Sequence, residues 1–162
     1  MKKILLILVI ILPIYLLATV YFLGSSNFVC PIKYENGIVI RCDNHGEGHF
    51  AANRSGNRLH NGIDLLAEVG TPIFSSRWGR VVSAKQNRGM GKYVVIRHRG
   101  NITTIYGHLS EILVFKGQFI RQGQVIGKVG KTGNANYRDI LPHLHFEVRK
   151  DGIPQDPLQF LQ

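Results

Sequence analysis

The sequence has few acidic residues, and this shortage narrows the classes of partner that the protein can bind. Ten Asp and Glu residues stand against 20 Lys and Arg residues, so the formal net charge is +10 at pH 7. A positive charge of this size suggests an anionic partner. The chain has no basic helical stretch, no basic run with interleaved aromatic residues and no zinc-finger spacing, so we expect it not to bind nucleic acid. An anionic lipid surface or an anionic wall polymer agrees better with this charge.

Cysteine is almost absent as well. The sequence contains two cysteines, Cys30 and Cys42, and their spacing does not resemble that of a cysteine metal site. In an oxidising compartment the two can form one structural disulfide. Two free thiols are the alternative.

Long apolar runs are lacking except at the start of the chain. Met1–Lys3 precedes twenty residues without a charge, Ile4 to Leu23. A membrane span needs about 20 apolar residues, whereas a cleavable signal peptide has about 7–15. We therefore expect residues 1–26 to form one uncleaved N-terminal transmembrane helix, and a signal peptide cut near Gly24 is the alternative. The two N-terminal lysines place the remainder of the chain outside the cytoplasm.

Helical periodicity is nearly missing from the rest of the chain, where glycines separate short apolar and β-branched runs. Many short strands at close spacing predict a mainly β domain, an antiparallel sandwich or barrel. We expect a linker over residues 27–36 and a single domain over residues 37–162. The runs that predict strands are Ile38–Ile40, Pro72–Phe74, Arg80–Ser83, Lys92–Arg99, Ile102–Tyr106, Val125–Val129 and Leu144–Val148.

The chain has no His-Glu-x-x-His helix motif, yet four of its histidines lie in three short motifs. These are His60-x-x-x-Asp64, Tyr106-Gly107-His108 and His143-Leu144-His145. Side chains at positions i and i+2 of a strand project from the same face, so the last two histidines can converge on one point. The same alternation predicts that Tyr106 and His108 share a face, and we expect Tyr106 to serve strand packing.

Two imidazoles and one carboxylate are a usual zinc ligand set, in which a catalytic site keeps a fourth position for water. His60, Asp64 and one histidine of the third motif provide such a set. Spacing alone leaves open whether His143 or His145 is the ligand. The remaining histidines suit a general base and a group that steadies the oxyanion, since their charge changes near neutral pH.

In this order along the chain, the motifs resemble those of the lysostaphin-type zinc endopeptidases. The segments between these motifs are also similar to the corresponding segments of that family. The residues that carry the resemblance are His60-x-x-x-Asp64, Tyr106-Gly107-His108-Leu109, Pro142-His143-Leu144-His145-Phe146-Glu147-Val148, Gly70-Thr71-Pro72-Ile73, Gly79-Arg80-Val81-Val82 and Gly123-Gln124-Val125-Ile126-Gly127.

The resemblance implies an antiparallel β fold with one zinc ion in a groove. It assigns His60, Asp64 and His145 to the metal, while His108 and His143 flank the water and the oxyanion. It implies hydrolysis of peptide stems or cross-links of bacterial peptidoglycan. Together with the predicted anchor, it places the enzyme on the outer side of a bacterial cytoplasmic membrane.

Two features depart from the peptidase pattern. Residues 40–50 also resemble the vertebrate leukocyte chemotaxin branch, which implies zinc-binding signalling proteins without peptidase activity. Residues 134–141 are longer than the usual link before the third motif, and we expect them to border the groove. An inactive zinc-binding module that binds peptidoglycan or regulates another hydrolase is the alternative function. The chemotaxin resemblance suggests a further one, a secreted signalling or adhesion protein, although the intact His108 motif favours catalysis.

Other polar residues are weaker candidates. His45 and His49 are expected to be ordinary loop residues, and His98 to be structural. Arg54 lies six residues before His60, from where it can reach the groove and bind a substrate carboxylate; a solvated arginine is the alternative.

Overall fold

The computed structural model describes residues 11–13, 15, 28–54 and 57–161. Within these ranges the protein is built from short and medium strands with two 3-10 turns, Gly133–Ala135 and Pro157–Gln159. The strands are β1 (Cys42–Asp43), β2 (Gly46–Glu47), β3 (Asn53–Arg54), β4 (Arg58–Leu59), β5 (Ile63–Leu66), β6 (Pro72–Phe74), β7 (Gly79–Asn87), β8 (Gly91–Arg97), β9 (Ile102–Ile112), β10 (Phe119–Ile120), β11 (Val125–Val129), β12 (His143–Lys150) and β13 (Ile153–Gln155).

Nine of these strands form one antiparallel sheet, which confirms the prediction of a mainly β domain. Six of the strands are hydrogen-bonded in the order β10-β7-β8-β9-β11-β6. Strand β12 pairs with β9, and it also pairs with β5 and β13. The small hairpins β1–β2 and β3–β4 stand apart from this sheet.

Strand β9 is shared between two partners along one of its edges. Its first half, up to Gly107, pairs with β12, and its second half, from Leu109, pairs with β11. The sheet therefore divides at His108, the residue between the two halves. Residues of both hairpins and His108 line one groove, and the other predicted site residues lie in the same groove.

The core is formed by buried side chains from strands β5 to β12. Every residue of β12 from His143 to Val148 is buried, so both faces of this strand are covered. Phe146 and Tyr106 are the largest fully buried side chains, and their ring centroids lie 5.3 Å apart. Burial of such side chains contributes roughly 1.5–3 kcal/mol each.

Residues 28–36, within the predicted linker, pack against the domain. Phe28 is buried and pairs with Leu161 across an isolated β-bridge. The amide of Val29 donates to Ser76 O over 2.9 Å, and Ile32 belongs to the hydrophobic core. The buried side chains of Phe28 and Ile32 thus hold this segment against the domain. The sequence of the segment lacks the alternation that predicts a strand.

The predicted anchor over residues 1–26 lies almost entirely outside the described residues. Within the described ranges, no helix combines the length and apolar character that crossing a membrane requires. Cys30 and Cys42 are free thiols, so the disulfide that we considered does not form in this structure.

Candidate metal-binding site

Three of the predicted site residues meet at the start of β12. His145 lies directly opposite Asp64 in the β5–β12 pairing, and His60 reaches the same point from the turn after β4. His60 Nε2 lies 3.0 Å from His145 Nδ1, and both nitrogens lie close to Asp64 Oδ1, at 3.1 and 2.9 Å. All three side chains are buried. The three atoms thus form a nearly equilateral triangle, and this cluster can hold a metal ion.

The hydrogen bonds around the triangle turn the lone pairs of both imidazoles inward. His60 Nδ1 lies 2.8 Å from the carbonyl oxygen of His49, which can only accept, so this nitrogen carries the proton. His145 Nε2 likewise donates to Glu147 Oε1 over 3.0 Å. In their neutral forms the two rings therefore point unprotonated nitrogens at each other and at a carboxylate.

Such an arrangement favours positive charge at its centre, which either a metal ion or a proton between His145 Nδ1 and Asp64 Oδ1 supplies. Two imidazole nitrogens and one carboxylate oxygen are typical zinc ligands. A tetrahedral zinc site with these ligands has donor atoms about 3.3 Å apart, close to the observed separations. The residues therefore fit zinc in both chemistry and spacing.

The pKa values of the triangle agree with this preference for positive charge. Burial lowers the pKa of His145, but hydrogen bonds to Asp64 and Glu147 outweigh burial and raise it to about 9. Burial raises the pKa of Asp64, yet its close contacts with the imidazoles of His145 and His60 bring it well below its usual range. Asp64 is therefore a carboxylate at neutral pH.

The outer oxygen of Asp64 is held by two arginines. Arg41 Nη2 and Arg54 Nη2 donate to Asp64 Oδ2 over 3.0 and 2.8 Å. The Arg54 guanidinium, which we expected to meet a substrate carboxylate or solvent, thus contacts a carboxylate of the protein itself. Arg41 is 3% exposed, and no motif in the sequence identified it. Only the Oδ1 atom of Asp64 is left facing the histidines.

His108 and His143 lie beside the triangle, with ring centroids 5.1 Å apart and an interplanar angle of 73°. His108 Nδ1 donates to Thr132 O over 2.9 Å, and His143 Nδ1 donates to Leu141 O over 2.7 Å. Each ring therefore keeps Nε2 as its unprotonated nitrogen. His143 Nε2 lies 3.9 Å from Asp64 Oδ1.

Burial lowers the pKa of both histidines. That of His108 falls to about 3, because burial is reinforced by repulsion from His145 and His143 when these rings carry a proton, against the opposing effect of Asp64. The pKa of His143 is also lowered by burial, against the opposing effect of Asp64. Both rings are neutral near pH 7 and can accept a proton.

A β-bulge places His108 at the site. Tyr106 and Leu109 pair with Val94 and Lys92 of β8, so Gly107 and His108 together face one residue of that strand. His108 has φ 64°, a conformation that costs a non-glycine residue of order 1–3 kcal/mol. Bulges next to active sites re-aim side chains in this way.

The bulge overturns the expectation that Tyr106 and His108 share a face. Tyr106 is fully buried in the core, and its hydroxyl accepts from the amide of Ser76 over 2.9 Å. It is a packing residue, as we expected. Simple alternation along β9 fails because the extra residue of the bulge reverses the side to which His108 points.

The site opens into a groove with a volume of about 740 Å³. One wall carries the turn between β1 and β2, another the β3–β4 hairpin, and a third the segment that precedes β12, as we expected for residues 134–141. The residues that line these walls include Asn44, His45, Arg58, Leu59, Asn134, Tyr137 and Ile140.

The other weaker candidates lie outside the cluster. His49 contributes its backbone oxygen to His60, while its side chain is exposed. His98 is buried away from the groove, between Trp78 O at 2.7 Å and Thr104 Oγ1 at 2.7 Å. Glu147 was missed as a functional candidate, although its position two residues after His145 puts it on the same face of β12.

The sequence matches known proteins over most of the folded region. Residues 58–157 match the profile of peptidase family M23. The chain is 40% identical over 115 residues to a Pseudomonas aeruginosa protein named lipoprotein NlpD/LppB homolog, covering 70% of this chain and 36% of that protein. It is 42% identical over 100 residues to the peptidoglycan DD-endopeptidase ShyA of Vibrio cholerae, covering 62% and 22%. The chain thus spans about a fifth to a third of the length of these relatives.

Solved structures have the same fold. The catalytic domain of lysostaphin from Staphylococcus simulans matches with a TM-score of 0.60 and 30% identity, covering 74% of this chain and 90% of that chain. A chain of the SpoIIQ–SpoIIIAH pore-forming complex matches with a TM-score of 0.69 and 29% identity, covering 85% and 92%.

Proposed function

The chain belongs to peptidase family M23, and we propose that it is a zinc-dependent endopeptidase that hydrolyses the peptide stems or cross-links of bacterial peptidoglycan. The observation that carries this proposal is the triangle of His60 Nε2, Asp64 Oδ1 and His145 Nδ1, with two neutral histidines beside it. Similarity to a peptidoglycan DD-endopeptidase and to lysostaphin supports the substrate class.

The three triangle residues are the proposed ligands of one zinc ion. When bound, zinc supplies a positive charge that lowers the pKa of water toward 7 and polarises a carbonyl group. Glu147 and the His49 carbonyl hold the two ligand imidazoles in the tautomers that metal binding requires. Partners of this kind orient metal ligands and raise their basicity.

His108 and His143 are the proposed catalytic residues. Both present an unprotonated Nε2, so one of them can take a proton from the attacking water as general base. An imidazole that carries a second proton becomes a donor at Nε2, which suits it to hydrogen-bond an oxyanion or to protonate the leaving amine. The backbone oxygens of Thr132 and Leu141 keep each ring oriented throughout these steps.

The wider organisation of the chain follows from the same proposal. We assign residues 1–26 to a membrane anchor, residues 27–36 to the segment that joins it to the domain, and residues 37–162 to the peptidase domain. The twenty uncharged residues after Lys3 support an anchor, and one relative is named a lipoprotein. The domain then lies outside the cytoplasm of a bacterium, where its positive charge favours contact with anionic wall polymers.

A second candidate is a zinc-binding module without peptidase activity that works within an envelope assembly. The similarity to a chain of a complex named pore-forming supports it. Incubation of the zinc-loaded full chain with defined peptidoglycan fragments separates the two functions. Cleavage supports the peptidase, and binding without cleavage supports the module.

A further inference from the structure

We propose that Arg41 and Asp43 form a positioning bridge that links Asp64 to His143, and so aligns a proposed metal ligand with a proposed catalytic residue. The inference rests on the proposed function, because it takes Asp64 as a ligand. It adds two residues to the site that neither touch the metal position nor belong to the histidine motifs.

Arg41 begins the bridge. One guanidinium nitrogen, Nη2, donates to Asp64 Oδ2 over 3.0 Å, and the other, Nη1, donates to Asp43 Oδ1 over 2.5 Å. The Arg41 side chain is 4% exposed, so these contacts are poorly screened by solvent. A guanidinium is a rigid plane whose nitrogen atoms hold fixed positions. Because Asp43 holds one nitrogen of Arg41, the other nitrogen restricts where the Asp64 carboxylate can lie.

Asp43 continues the bridge toward β12. Its Oδ2 atom accepts from the amide of Leu141 over 3.0 Å. The carbonyl oxygen of Leu141 in turn accepts the Nδ1 proton of His143 over 2.7 Å. Leu141 precedes Pro142, which restricts its backbone to extended conformations. The amide and the carbonyl of Leu141 therefore move together, and Asp43 controls the orientation of the His143 ring.

The two ends of the bridge face each other. Asp64 offers Oδ1 to the site because Oδ2 is occupied, and His143 offers Nε2 because Nδ1 is occupied. These two atoms lie 3.9 Å apart. The Arg41–Asp43 ion pair thus acts on both residues, together with Arg54 at the Asp64 end, and loss of Asp43 loosens both ends at once.

Arg54 provides a matched control inside the same structure. It donates to the same Asp64 oxygen over 2.8 Å but makes no contact with Asp43 among the described residues. Removing Arg54 therefore changes Asp64 without breaking the bridge, whereas removing Arg41 or Asp43 breaks it. Gly46 leaves room for this arginine, since a Cβ there would lie 3.0 Å from Arg54 Nη1.

The test is a double-mutant cycle on zinc affinity, measured by calorimetric titration of the detergent-solubilised full chain. Asp43→Asn should weaken zinc binding about tenfold, as outer partners of metal ligands do, although Asp43 does not contact the triangle. Arg41→Gln should weaken it at least as much. The double variant should bind no more weakly than Arg41→Gln alone, because either change breaks the same bridge. Asp43→Asn combined with Arg54→Gln should instead show additive losses.

Kinetics provide a second readout. Asp43→Asn should lower kcat with little change in KM, because His143 is misaligned while the asparagine keeps an oxygen that can accept from the amide of His45 in the groove wall. Arg41→Lys keeps the charge but not the planar guanidinium, so it should lose zinc affinity as Arg41→Gln does. It replaces Arg41→Gln in the test if that variant does not fold. Wild-type affinity in Asp43→Asn, or additive losses for Arg41 and Asp43, would overturn the bridge and leave the proposed function standing. A wild-type chain that does not bind zinc would overturn both.

Discussion

Asp64 and His145 lie opposite each other on β5 and β12, and their Oδ1 and Nδ1 atoms are 2.9 Å apart. The pairing of two strands therefore brings together residues that are 81 positions apart in the sequence. A shift of one residue in this register would turn either side chain to the other face of the sheet. The buried apolar neighbours Ile63 and Phe146, which pair next in the ladder, stabilise the register and with it the site.

Substitution of the two neutral histidines should abolish catalysis without loss of metal. His108→Ala and His143→Ala should each lower kcat/KM by roughly 10²–10⁴-fold, the usual contribution of a general acid or base. Zinc content, measured by atomic emission of the purified variants, should stay at one ion per chain. His49→Ala, which removes an exposed imidazole near the site, should cleave like the wild type. Full activity in either of the first two variants would remove that residue from the mechanism.

Glu147 should control metal affinity without being a ligand. Glu147→Gln keeps the shape of the side chain but removes the charge that accepts the His145 Nε2 proton. We expect zinc affinity to fall about tenfold to a hundredfold, measured by competition with a chelating dye. Lys128→Gln, which removes an ion pair on the exposed surface, is the control and should bind zinc normally. Unchanged affinity in Glu147→Gln would show that His145 needs no partner.

His98 should make stability depend on pH. Burial, reinforced by the nearby charge of Arg77, lowers the pKa of His98 from 6.5 to about 4, against a hydrogen bond to Trp78 O. Above pH 6.5 the residue is neutral in both the folded and the unfolded state, and its contribution is fully present. As the pH falls toward 4, the unfolded chain binds a proton that the folded chain does not. The free energy of unfolding should therefore decrease by a few kcal/mol, at about 1.4 kcal/mol per pKa unit.

The measurement for this prediction is denaturant unfolding between pH 4 and 7 at a fixed zinc concentration. His98→Gln lacks the titrating group. As the pH falls, the free energy of unfolding should therefore decrease more in the wild type than in His98→Gln. A difference that stays constant over this range would mean that His98 titrates alike in both states.

Two glycine substitutions separate backbone strain from close packing. Gly91→Ala and Gly123→Ala both place alanine at positive φ, 63° and 74°. A Cβ at Gly91 would lie 2.2 Å from Thr132 Oγ1, whereas a Cβ at Gly123 meets open space. Both variants should lose about 1 kcal/mol of unfolding free energy through strain, and Gly91→Ala should lose several kcal/mol more.

Activity distinguishes the same pair of variants. Thr132 O accepts the Nδ1 proton of His108, so displacement of Thr132 by Gly91→Ala should also lower kcat. Gly123→Ala should retain wild-type kcat. Equal losses of stability and activity in the two variants would contradict the role assigned to this contact.

Much of the architecture and of the site can be predicted from local sequence, because strands and histidine motifs are local signals. Closely spaced β-branched runs and glycines predict an antiparallel β domain, and the structure confirms it. The i and i+2 spacing of His143 and His145 places them on one face of β12. The ordered motifs also led to the family that the sequence comparison shows.

The remaining features depend on contacts between distant segments. Arg41 reaches a carboxylate 23 positions away, and neither residue type nor spacing marks that pairing in advance. The bulge at His108 breaks the strict alternation on which strand prediction relies. Residues 28–36 pack through scattered apolar side chains such as Phe28 and Ile32, a pattern that local periodicity does not detect.

The central claim is zinc-dependent cleavage of peptidoglycan peptides, and mass spectrometry of defined peptidoglycan fragments tests it most directly. The full chain is loaded with zinc and incubated with cross-linked and bridged fragments, with and without a chelator, beside His143→Ala as an inactive control. The proposed mechanism predicts new fragments that differ by hydrolysis of one peptide bond, which disappear with the chelator and with His143→Ala. If the folded, zinc-loaded protein cleaves none of these fragments, the claim is contradicted and the zinc-binding module takes its place.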